Sequence, residues 1–567
     1  MRGYFPKKVE GIPKGYANKW LFRGLRPHVW LLVLLVVLNA LLSGVSVYFA
    51  VGVKNVIDSA TYNDGKIIKA IVLLVGSVAA QIILRAVCGY IETKLKAKLE
   101  ISYKTSMLTS MLKKDYSFLS FHSGDLMTRL TNDAQVVSDT MTRILPSAVS
   151  MATRLIFIFV VMLSYDIIFT LYLIAGGAFV VLISRALRSA MKKQHRRVQE
   201  TDGKWRSYIH EILSHLPVVW VFGAENEVEA HSEELQNDNL KAKMKRSFLH
   251  IGMGSIYGTL FEGAYLYTLI WGAFNLGPTF TYGTLSAMLN LITQVHGPLT
   301  SLSNLFSQAA NMTASAERMI EVENFPERED SKENRREMLN AGDFSINVRD
   351  LHFAYERDEV LSGADTTINK GDFAVISGAS GIGKSTLFKI ILGLLTPNSG
   401  EVTLDANGQT LSVGTALRGA ISYVPQGNLI FSGTVRDNIA FAKSDALEEE
   451  IQRAAHLSCA DDFIKDLPEK AQTIIGERGF GLSEGQIQRL AIARAILYDA
   501  PIMLLDEATS ALDEETERKV LENLKALNKT IILISHKKAA LEICTRNITI
   551  KDGKFEEKSA GQYQELT

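Results

Sequence analysis

The chain has 567 residues, roughly four times a typical domain length of about 150, so more than one domain is expected. Its 61 basic and 61 acidic side chains cancel, which argues against a general nucleic-acid binder because such proteins carry an excess of Lys and Arg. The three cysteines, Cys88, Cys459 and Cys544, are far apart in the sequence, which argues against a disulfide framework and a cysteine zinc site and fits a reducing cytosolic face. Hydrophobic residues make up 47% and are concentrated before about residue 310, which excludes intrinsic disorder and argues strongly against a wholly soluble protein.

The amino-terminal half contains apolar stretches long enough to cross a membrane. Residues 29–53 are uncharged for 25 residues, and about 20 helical residues cross a hydrocarbon core of roughly 30 Å. No small-residue cleavage site is apparent, so this stretch is interpreted as a retained span and not as a signal peptide. Residues 263–316 contain no Asp, Glu, Lys or Arg and hold most of a fifth span and a sixth. A six-helix all-α transmembrane domain is therefore predicted, with the other spans at residues 70–91, 144–165 and 167–184.

Basic residues indicate how these spans are oriented. The first 27 residues hold seven Lys or Arg against Glu10 alone, and the segments after the second and fourth spans are also basic. The turns at Asp166 and at residues 277–282 contain no Lys or Arg. Because loops rich in Lys and Arg stay on the cytosolic side, both termini are expected in the cytosol. The sequence predicts a multi-pass protein of the cell membrane.

The two inner connections of about 50–60 residues are expected to continue the spans as long helices beyond the bilayer. Residues 121–133 interrupt the first connection. The Gly and Ser of this segment predict a turn, and the residues after them predict a short helix across the tip. Three charged residues interrupt the apolar pattern: Arg85, Arg154 and Glu262. Such charges are costly at the bilayer centre, so they either line a substrate path or serve helix pairing and snorkelling. Both interpretations stay open at this point.

The carboxy-terminal half changes character after a strongly polar linker at residues 323–342. Short apolar runs then alternate with helical segments, which predicts an α/β domain with buried parallel strands. The predicted strands are residues 344–348, 373–377, 421–424, 502–505 and 531–535.

A phosphate-binding loop follows the second of these strands. Its pattern is G-x-x-x-x-G-K-S between a strand and the helical run 387–395, so backbone N–H groups and a helix N-terminus surround phosphate oxygens. Lys384 is predicted to reach the β- and γ-phosphates and Ser385 to ligate Mg²⁺. The residues predicted to bind nucleotide are Gly378, Ala379, Ser380, Gly381, Ile382, Gly383, Lys384, Ser385 and Thr386.

Two carboxylates follow the run 502–505, at the end of a strand where open α/β sheets bind ligands. Asp506 is predicted to hold Mg²⁺, directly or through water. Glu507 is the natural general base to orient the attacking water. Together with Lys384, these residues predict a P-loop NTPase.

The string LSEGQIQRLAIARA at residues 482–495 resembles the signature motif and helix of ATP-binding-cassette (ABC) transporters. Six spans ahead of one cassette resemble an exporter-type half-transporter of the type IV fold, similar to bacterial multidrug, lipid or peptide exporters. The resemblance covers residues 28–560 and implies a type 1 transmembrane domain at 28–322 after a cytosolic segment at 1–27, with the cassette at 343–567. It also implies that two chains sandwich ATP between the P-loop of one and the signature of the other.

The family motifs then assign further residues of the nucleotide site. Tyr355 matches the aromatic that stacks on adenine, and Gln426 matches the glutamine that contacts Mg²⁺ and relays ATP occupancy to the membrane domain. Asp513 lies in the segment that joins the cassettes, and His536 matches the histidine that contacts the γ-phosphate. Ser483, Gly485 and Gln486 are the signature residues expected at the partner's ATP.

Two other features follow from the resemblance. Residues 124–133 match the first coupling helix and residues 205–216 fall where the second is expected, so both are predicted to dock beside Gln426. Glu484 departs from the family, which most often has Gly there, but Ser483 and Gly485 keep the phosphate contacts.

The predicted function is export of an amphipathic small molecule, lipid or peptide, driven by ATP and Mg²⁺. The alternatives are import of a siderophore-like substrate and a cassette-gated channel or sensor. The partner is a second half-transporter, identical or different, in the lipid bilayer, and no nucleic acid is expected. Glu507, His536 and Lys384 are the predicted catalytic residues.

Overall fold

The computed structural model describes residues 15–558 except 64, 122, 278–279, 329–335, 356–357, 414–416, 418, 428–429, 477–478 and 480. The chain divides into two compact units. The first unit contains the described residues up to Met111 together with Gly124–Glu323. The second unit contains Leu112–Ser123 and the described chain from Asn324 onward. Of the predicted polar linker, residues 323–328 and 336–342 are described, and the predicted domain bounds stay predictions.

The first unit is built from long helices. Three of them, Ile67–Leu112, Ile167–Ser214 and Glu225–Phe274, have 46, 48 and 50 residues, which confirms that these helices extend beyond the length of about 20 residues that a span requires. The helices are α1 (Tyr16–Leu25), α2 (Val29–Tyr62), α3 (Ile67–Leu112), α4 (Ser123–Thr128), α5 (Ala134–Tyr165), α6 (Ile167–Ser214), α7 (Leu216–Phe222), α8 (Glu225–Phe274) and α9 (Tyr282–Glu323).

Three helical stretches of the described chain are long and apolar enough to cross a membrane. They are Tyr16–Tyr62, Ile67–Leu112 and Ser123–Tyr165, and they contain the first three predicted spans. Helices α6, α8 and α9 occupy the positions of the other predicted spans, so the count of six stays a prediction. The break predicted at Gly277-Pro278 lies partly outside the described residues.

Helices α2, α5 and α9 pack together through apolar side chains, whereas α6 packs mainly against α8. The centre of the first cluster includes Val47, Ile158, Met162, Met288 and Leu291, all of them buried.

The tip of the first inner connection differs from the predicted turn. Ser123 and Gly124 begin α4, and one turn of π-helix (Arg129–Asp133) joins α4 to α5. Asp133 is fully buried, where its carboxylate accepts from Arg318 Nε at 2.8 Å and Ser315 Oγ at 2.9 Å. Arg129 donates to the Arg318 carbonyl oxygen at 2.9 Å and to Glu321 at 2.8 Å. These bonds tie residues 129–133 to the end of α9.

The second unit contains the α/β part of the chain. Its helices are α10 (Arg336–Ala341), α11 (Lys384–Ile391), α12 (Val435–Ala440), α13 (Glu448–Leu457), α14 (Asp461–Ile464), α15 (Glu484–Tyr498), α16 (Glu514–Ala526) and α17 (Lys538–Ile543). Its strands are β1 (Phe344–Tyr355), β2 (Asp358–Asn369), β3 (Phe373–Ser377), β4 (Ser399–Ala406), β5 (Gln409–Ser412), β6 (Ile421–Val424), β7 (Gly433–Thr434), β8 (Ile474–Ile475), β9 (Ile502–Asp506), β10 (Thr530–Ile534), β11 (Arg546–Lys551) and β12 (Lys554–Lys558).

The main sheet has the order β12-β11-β3-β10-β9-β6. Strands β11, β3, β10, β9 and β6 run parallel, and every residue of β3, β9 and β10 is buried, as the continuous apolar runs predict. The prediction of a parallel strand at residues 344–348 is wrong. That run lies in β1, which pairs antiparallel with β2 and β4 in a separate four-stranded sheet. A short apolar run does not indicate its pairing direction.

Residues 112–123 pack with the cassette part of this unit. Tyr116 is partly buried against the apolar cluster that includes Leu387 and Phe388, and Lys389 Nζ lies 5.9 Å from the Tyr116 ring centroid. Lys114 Nζ donates to the Phe325 carbonyl oxygen at 2.9 Å. The segment that packs against the cassette is thus the one just before residues 124–133. The docking of residues 124–133 beside Gln426 stays a prediction.

Candidate nucleotide-binding and hydrolysis site

The glycine-rich loop connects β3 to α11 at the centre of the parallel sheet. Gly378, Gly381 and Gly383 have φ values of 144°, 80° and 110°, which residues with a Cβ rarely adopt. Helix α11 begins at Lys384 with no side-chain cap on its first N–H groups. Free N–H groups at a helix start bind anions. The loop therefore has the backbone of a phosphate site, as the sequence predicts.

Gly383→Ala is expected to lower the melting temperature and ATP affinity more than Gly381→Ala does. Both glycines have positive φ, but a Cβ at Gly383 would lie 2.5 Å from Val360 Cγ1, whereas nothing lies within 4 Å of one at Gly381. The left-handed conformation alone costs about 1–2 kcal/mol. Thermal unfolding and ATP titration of both variants measure the difference, and equal losses would show that the Val360 contact is unimportant.

Lys384 is buried against the loop itself. Its Nζ donates to the carbonyl oxygens of Gly378 at 2.7 Å and Ala379 at 2.8 Å. Burial lowers the pKa of Lys384, and the carboxylates of Glu507 and Asp506 oppose that shift. The side chain thus places one cation where the loop would hold phosphates.

Ser385 and Asp506 meet at the end of β9. Ser385 Oγ donates to Asp506 Oδ1 at 3.2 Å. Asp506 is buried, which raises its pKa, and the neighbouring Glu507 raises it further. A buried carboxylate beside a hydroxyl is a hard oxygen pair that a cation would stabilise, so these residues fit Mg²⁺. Among the described residues, no group of three or more His, Cys, Asp or Glu is placed to hold a metal ion by itself, and phosphate oxygens and water would complete the coordination of Mg²⁺ by Ser385 and Asp506.

Glu507 leaves the strand with a φ of 50°, a strained value for a residue other than Gly. Its N–H donates to the Ile534 carbonyl oxygen at 3.2 Å, and its carboxylate accepts from Gln426 Nε2 at 2.7 Å. Gln426, for which the family resemblance implies contact with Mg²⁺, therefore also contacts the predicted base. Both residues line a cavity of 190 Å³ together with Glu484 and Ser510.

His536 follows β10 and lies near both Lys384 and Glu507. Burial lowers the pKa of His536, the charge of Lys384 lowers it further, and Glu507 opposes the shift. The balance of these effects favours the neutral imidazole. The structure thus brings the three predicted catalytic residues together.

The signature residues form the start of α15. Ser483 caps the helix: its Oγ accepts from the Gln486 N–H at 3.3 Å, and Gln486 Oε1 accepts from the Ser483 N–H at 2.9 Å. A Cβ at Gly485 would lie 2.8 Å from the Ala511 carbonyl oxygen, so only Gly fits there. These contacts give a structural reason for Ser483, Gly485 and Gln486 within one chain. Their binding to a partner's nucleotide stays a prediction.

Two residues beyond the predicted set organise the site. Gln488 Nε2 donates to Ser510 Oγ at 2.9 Å, and Gln488 Oε1 accepts from the Ala511 N–H at 3.0 Å. Lys537 Nζ donates to the carbonyl oxygens of Thr509 at 2.9 Å and Leu512 at 2.8 Å. Gln488 and Lys537 thus hold residues 509–512 in place. In the sequence, the signal for Gln488 was its position just after the signature motif, and the signal for Lys537 was its position next to His536.

The other predicted binding residues lie around this centre. The Tyr355 hydroxyl is 3.3 Å from Thr386 Oγ1, and its ring meets Phe353 edge-on with centroids 4.9 Å apart. Asp513 caps α16 by accepting from the Thr516 N–H at 2.9 Å, which lowers the pKa of Asp513. The predicted adenine stacking of Tyr355 and nucleotide contact of Asp513 stay predictions, as do the roles of Ser380 and Ile382 in the loop.

Comparison with known families places both parts of the chain. The family model described as ABC transporter matches residues 361–510. The model described as ABC transporter transmembrane region matches residues 29–299.

Similar proteins extend over most of the chain. The ATP-dependent lipid A-core flippase of Desulfotalea psychrophila is 30% identical, covering 82% of this chain and 81% of its own. A probable ABC transporter ATP-binding/permease protein of Haemophilus influenzae is 30% identical, covering 89% and 92%. The solved structure of a bacterial Atm1-family ABC exporter with ATP bound has a TM-score of 0.77 at 24% identity, covering 94% and 95%. This last similarity establishes the fold.

Proposed function

The chain belongs to the ABC transporter family, and from that premise we propose that two copies of it form an ATP-driven exporter of an anionic amphipathic lipid. The similarity to ATP-dependent flippases supports ATP-driven export. It favours export over the two alternatives, siderophore import and a cassette-gated channel or sensor. The observation that carries the hydrolytic part is the convergence of Lys384, Glu507 and His536 at one end of the parallel sheet. The chain is thus an ATP-hydrolysing translocase.

The site residues have separate tasks in hydrolysis. The loop N–H groups and Lys384 bind the phosphates, while Ser385 and Asp506 would hold Mg²⁺, which would neutralise phosphate charge when bound. Glu507 orients the attacking water and accepts its proton, and Gln426 fixes the carboxylate through its 2.7 Å bond. The imidazole of His536 donates a hydrogen bond to the γ-phosphate.

A homodimer is supported by the completeness of the site. This chain supplies Glu507, His536 and an intact Ser483 cap, so neither of two identical sites lacks a group. Helix α7 gives a second reason, because its apolar Trp220, Val221 and Phe222 are 62%, 81% and 79% exposed in one chain. Helix α7 begins at Leu216, the last residue of the predicted second coupling region at 205–216, and a partner's cassette would cover it.

The lipid class rests on two arginines within the predicted spans. Arg85 on α3 lies close enough to act electrostatically on Arg154 of α5. Among the described residues neither has a carboxylate partner, and Arg154 Nε is buried with no hydrogen-bond partner. A charge in a spanning helix costs about 2.5–3.5 kcal/mol unless it is paired or solvated. A phosphate on the transported lipid would pair both arginines, whereas Glu262 lies exposed on α8 and its place in a path stays a prediction.

Arg85→Gln with Arg154→Gln is expected to abolish stimulation of ATP turnover by a phosphate-bearing lipid. Turnover is measured in phosphatidylcholine nanodiscs with and without lipid A, whose headgroup is a bis-phosphorylated disaccharide. The matched control is Lys98→Gln with Lys204→Gln, which removes two exposed cations elsewhere on α3 and α6. Full stimulation of the Arg85 and Arg154 double variant would contradict the proposed lipid class.

We propose a cytosolic location for the cassette, for both termini and for the extensions of the spans. ATP is available there, and the basic residues of the inner connections favour that side. The chain is therefore proposed to export from the cytosolic leaflet of the cell membrane.

A further inference from the structure

A cavity of 580 Å³ lies between the extensions of α6 and α8. We name it the α6–α8 groove. Its walls carry five basic side chains and its floor includes Ala242: Lys193, Arg196 and Arg197 come from α6, and Lys241 and Lys245 from α8. Positive charge is common on the cytosolic side of membrane proteins, but here both walls of one cavity are basic.

The acidic residues of the groove leave a net positive charge. Glu200 pairs with Arg196 at 2.9 Å and with Arg197 at 3.8 Å, and Asp238 pairs with Lys241 at 3.3 Å. Among the described side chains, Lys193 and Lys245 have no carboxylate within 4.0 Å. The two facing walls therefore each offer a cation to an additional anion.

The floor of the groove is a packed helix contact. Ala242 and Val198 are buried, and Ala242 lines the cavity. Next to them the buried Asn239 donates to Asp202 at 3.0 Å and lies 3.5 Å from Thr201 Oγ1. These contacts fix the spacing between the walls without occupying the basic side chains.

The position of the groove along the helices relates it to the bilayer surface. Lys245 lies two residues, about 3 Å, before residues 247–261 of α8, which contain no Asp, Glu, Lys or Arg. Lys193 lies nine residues, about 14 Å, beyond the uncharged run 167–184 of α6. The headgroup layer on one side of a bilayer is about 5–8 Å thick. The groove thus opens at that layer and extends past it, within reach of a large headgroup.

We propose that the α6–α8 groove binds an anion with two phosphate groups, presented by the headgroup of a lipid in the cytosolic leaflet. Two phosphates match two facing cationic walls, and charge-assisted hydrogen bonds from Lys and Arg are the usual phosphate contacts. The site lies outside the spanning segments and is separate from Arg85 and Arg154. The cytosolic placement of the groove rests on the proposed function. The groove adds to that function a site that binds the lipid before the lipid enters the spans.

Binding of lipid A to the full chain in detergent micelles tests the proposal by calorimetric titration. The measurements use the Arg85→Gln, Arg154→Gln background, so that the other pair of cations does not contribute. Adding Lys193→Gln and Lys245→Gln is expected to weaken binding by about ten-fold or more, since two charge-assisted contacts are removed. Adding Lys98→Gln and Lys204→Gln instead is expected to leave the affinity unchanged. All four lysines are exposed, so folding should persist and is checked by thermal unfolding.

Equal affinity in the two quadruple variants, or no binding in the double-variant background, would overturn the proposal. A competition with inorganic pyrophosphate distinguishes the sources of the phosphates. Retained lipid binding in millimolar pyrophosphate supports the lipid headgroup, whereas displacement at micromolar pyrophosphate would overturn the lipid source and assign the groove to a soluble polyphosphate. Because no arm uses ATP turnover, failure of the proposed transport function would not change the binding result.

Discussion

Glu507→Gln is expected to lower ATP turnover by about 10²- to 10⁴-fold while ATP binding persists. The amide has the size of the carboxylate and its oxygen still accepts the bond from Gln426 Nε2, but it no longer accepts a proton from water. With hydrolysis blocked, the closed ATP-bound dimer should accumulate. ATP turnover and binding of a fluorescent ATP analogue measure the two effects separately.

The control for this variant is Glu514→Gln, which removes the same charge from an exposed position on α16. It should hydrolyse ATP at the wild-type rate. If Glu507→Gln also kept near-wild-type turnover, Glu507 would not be the base, and another group at the 190 Å³ cavity would have to take that role.

Lys384→Ala is expected to weaken ATP binding by about 100-fold or more and to abolish turnover. It removes the buried cation that bonds the loop carbonyls of Gly378 and Ala379. It also leaves Asp506 and Glu507 with no positive charge from the loop, so the site repels the phosphates of ATP. Each ten-fold loss corresponds to about 1.4 kcal/mol, so a 100-fold loss is about 2.8 kcal/mol, the strength of one to two charge-assisted hydrogen bonds from Lys384 to phosphate.

Lys389→Ala is the matched control for Lys384→Ala, because it removes a lysine from the same helix but outside the loop. ATP titration and thermal unfolding of both variants separate lost binding from lost folding. Wild-type ATP affinity in a folded Lys384→Ala variant would contradict the assigned phosphate contact.

Much of the nucleotide site could be predicted from the sequence because its chemistry depends on neighbouring residues. The runs at 373–377 and 421–424 coincide with β3 and β6, and the loop after β3 contains the expected glycines. A strand, a loop and a helix in direct succession determine the position of Lys384. Long helices were equally predictable, since the inner connections contain few breakers.

Features that depend on distant parts of the chain were not predictable. The pairing of β1 with β2 and β4 gave an antiparallel sheet where a parallel strand was expected. The bond between Gln426 and Glu507 joins residues 81 positions apart, and the bonds of Lys537 reach back 25 and 28 positions. No local pattern encodes such contacts. The basic groove likewise arises only when α6 packs against α8.

The central claim is that two copies of this chain suffice for ATP-driven lipid export, and a flipping assay in proteoliposomes tests it most directly. The chain is reconstituted alone, and a fluorescent lipid A analogue is followed by its loss from the outer leaflet, where outward-facing cassettes receive added ATP and Mg²⁺. The account predicts ATP-dependent transfer to the lumenal leaflet that Glu507→Gln abolishes. Transfer at the same rate without ATP or in Glu507→Gln, or no transfer by the folded wild-type chain, would contradict it.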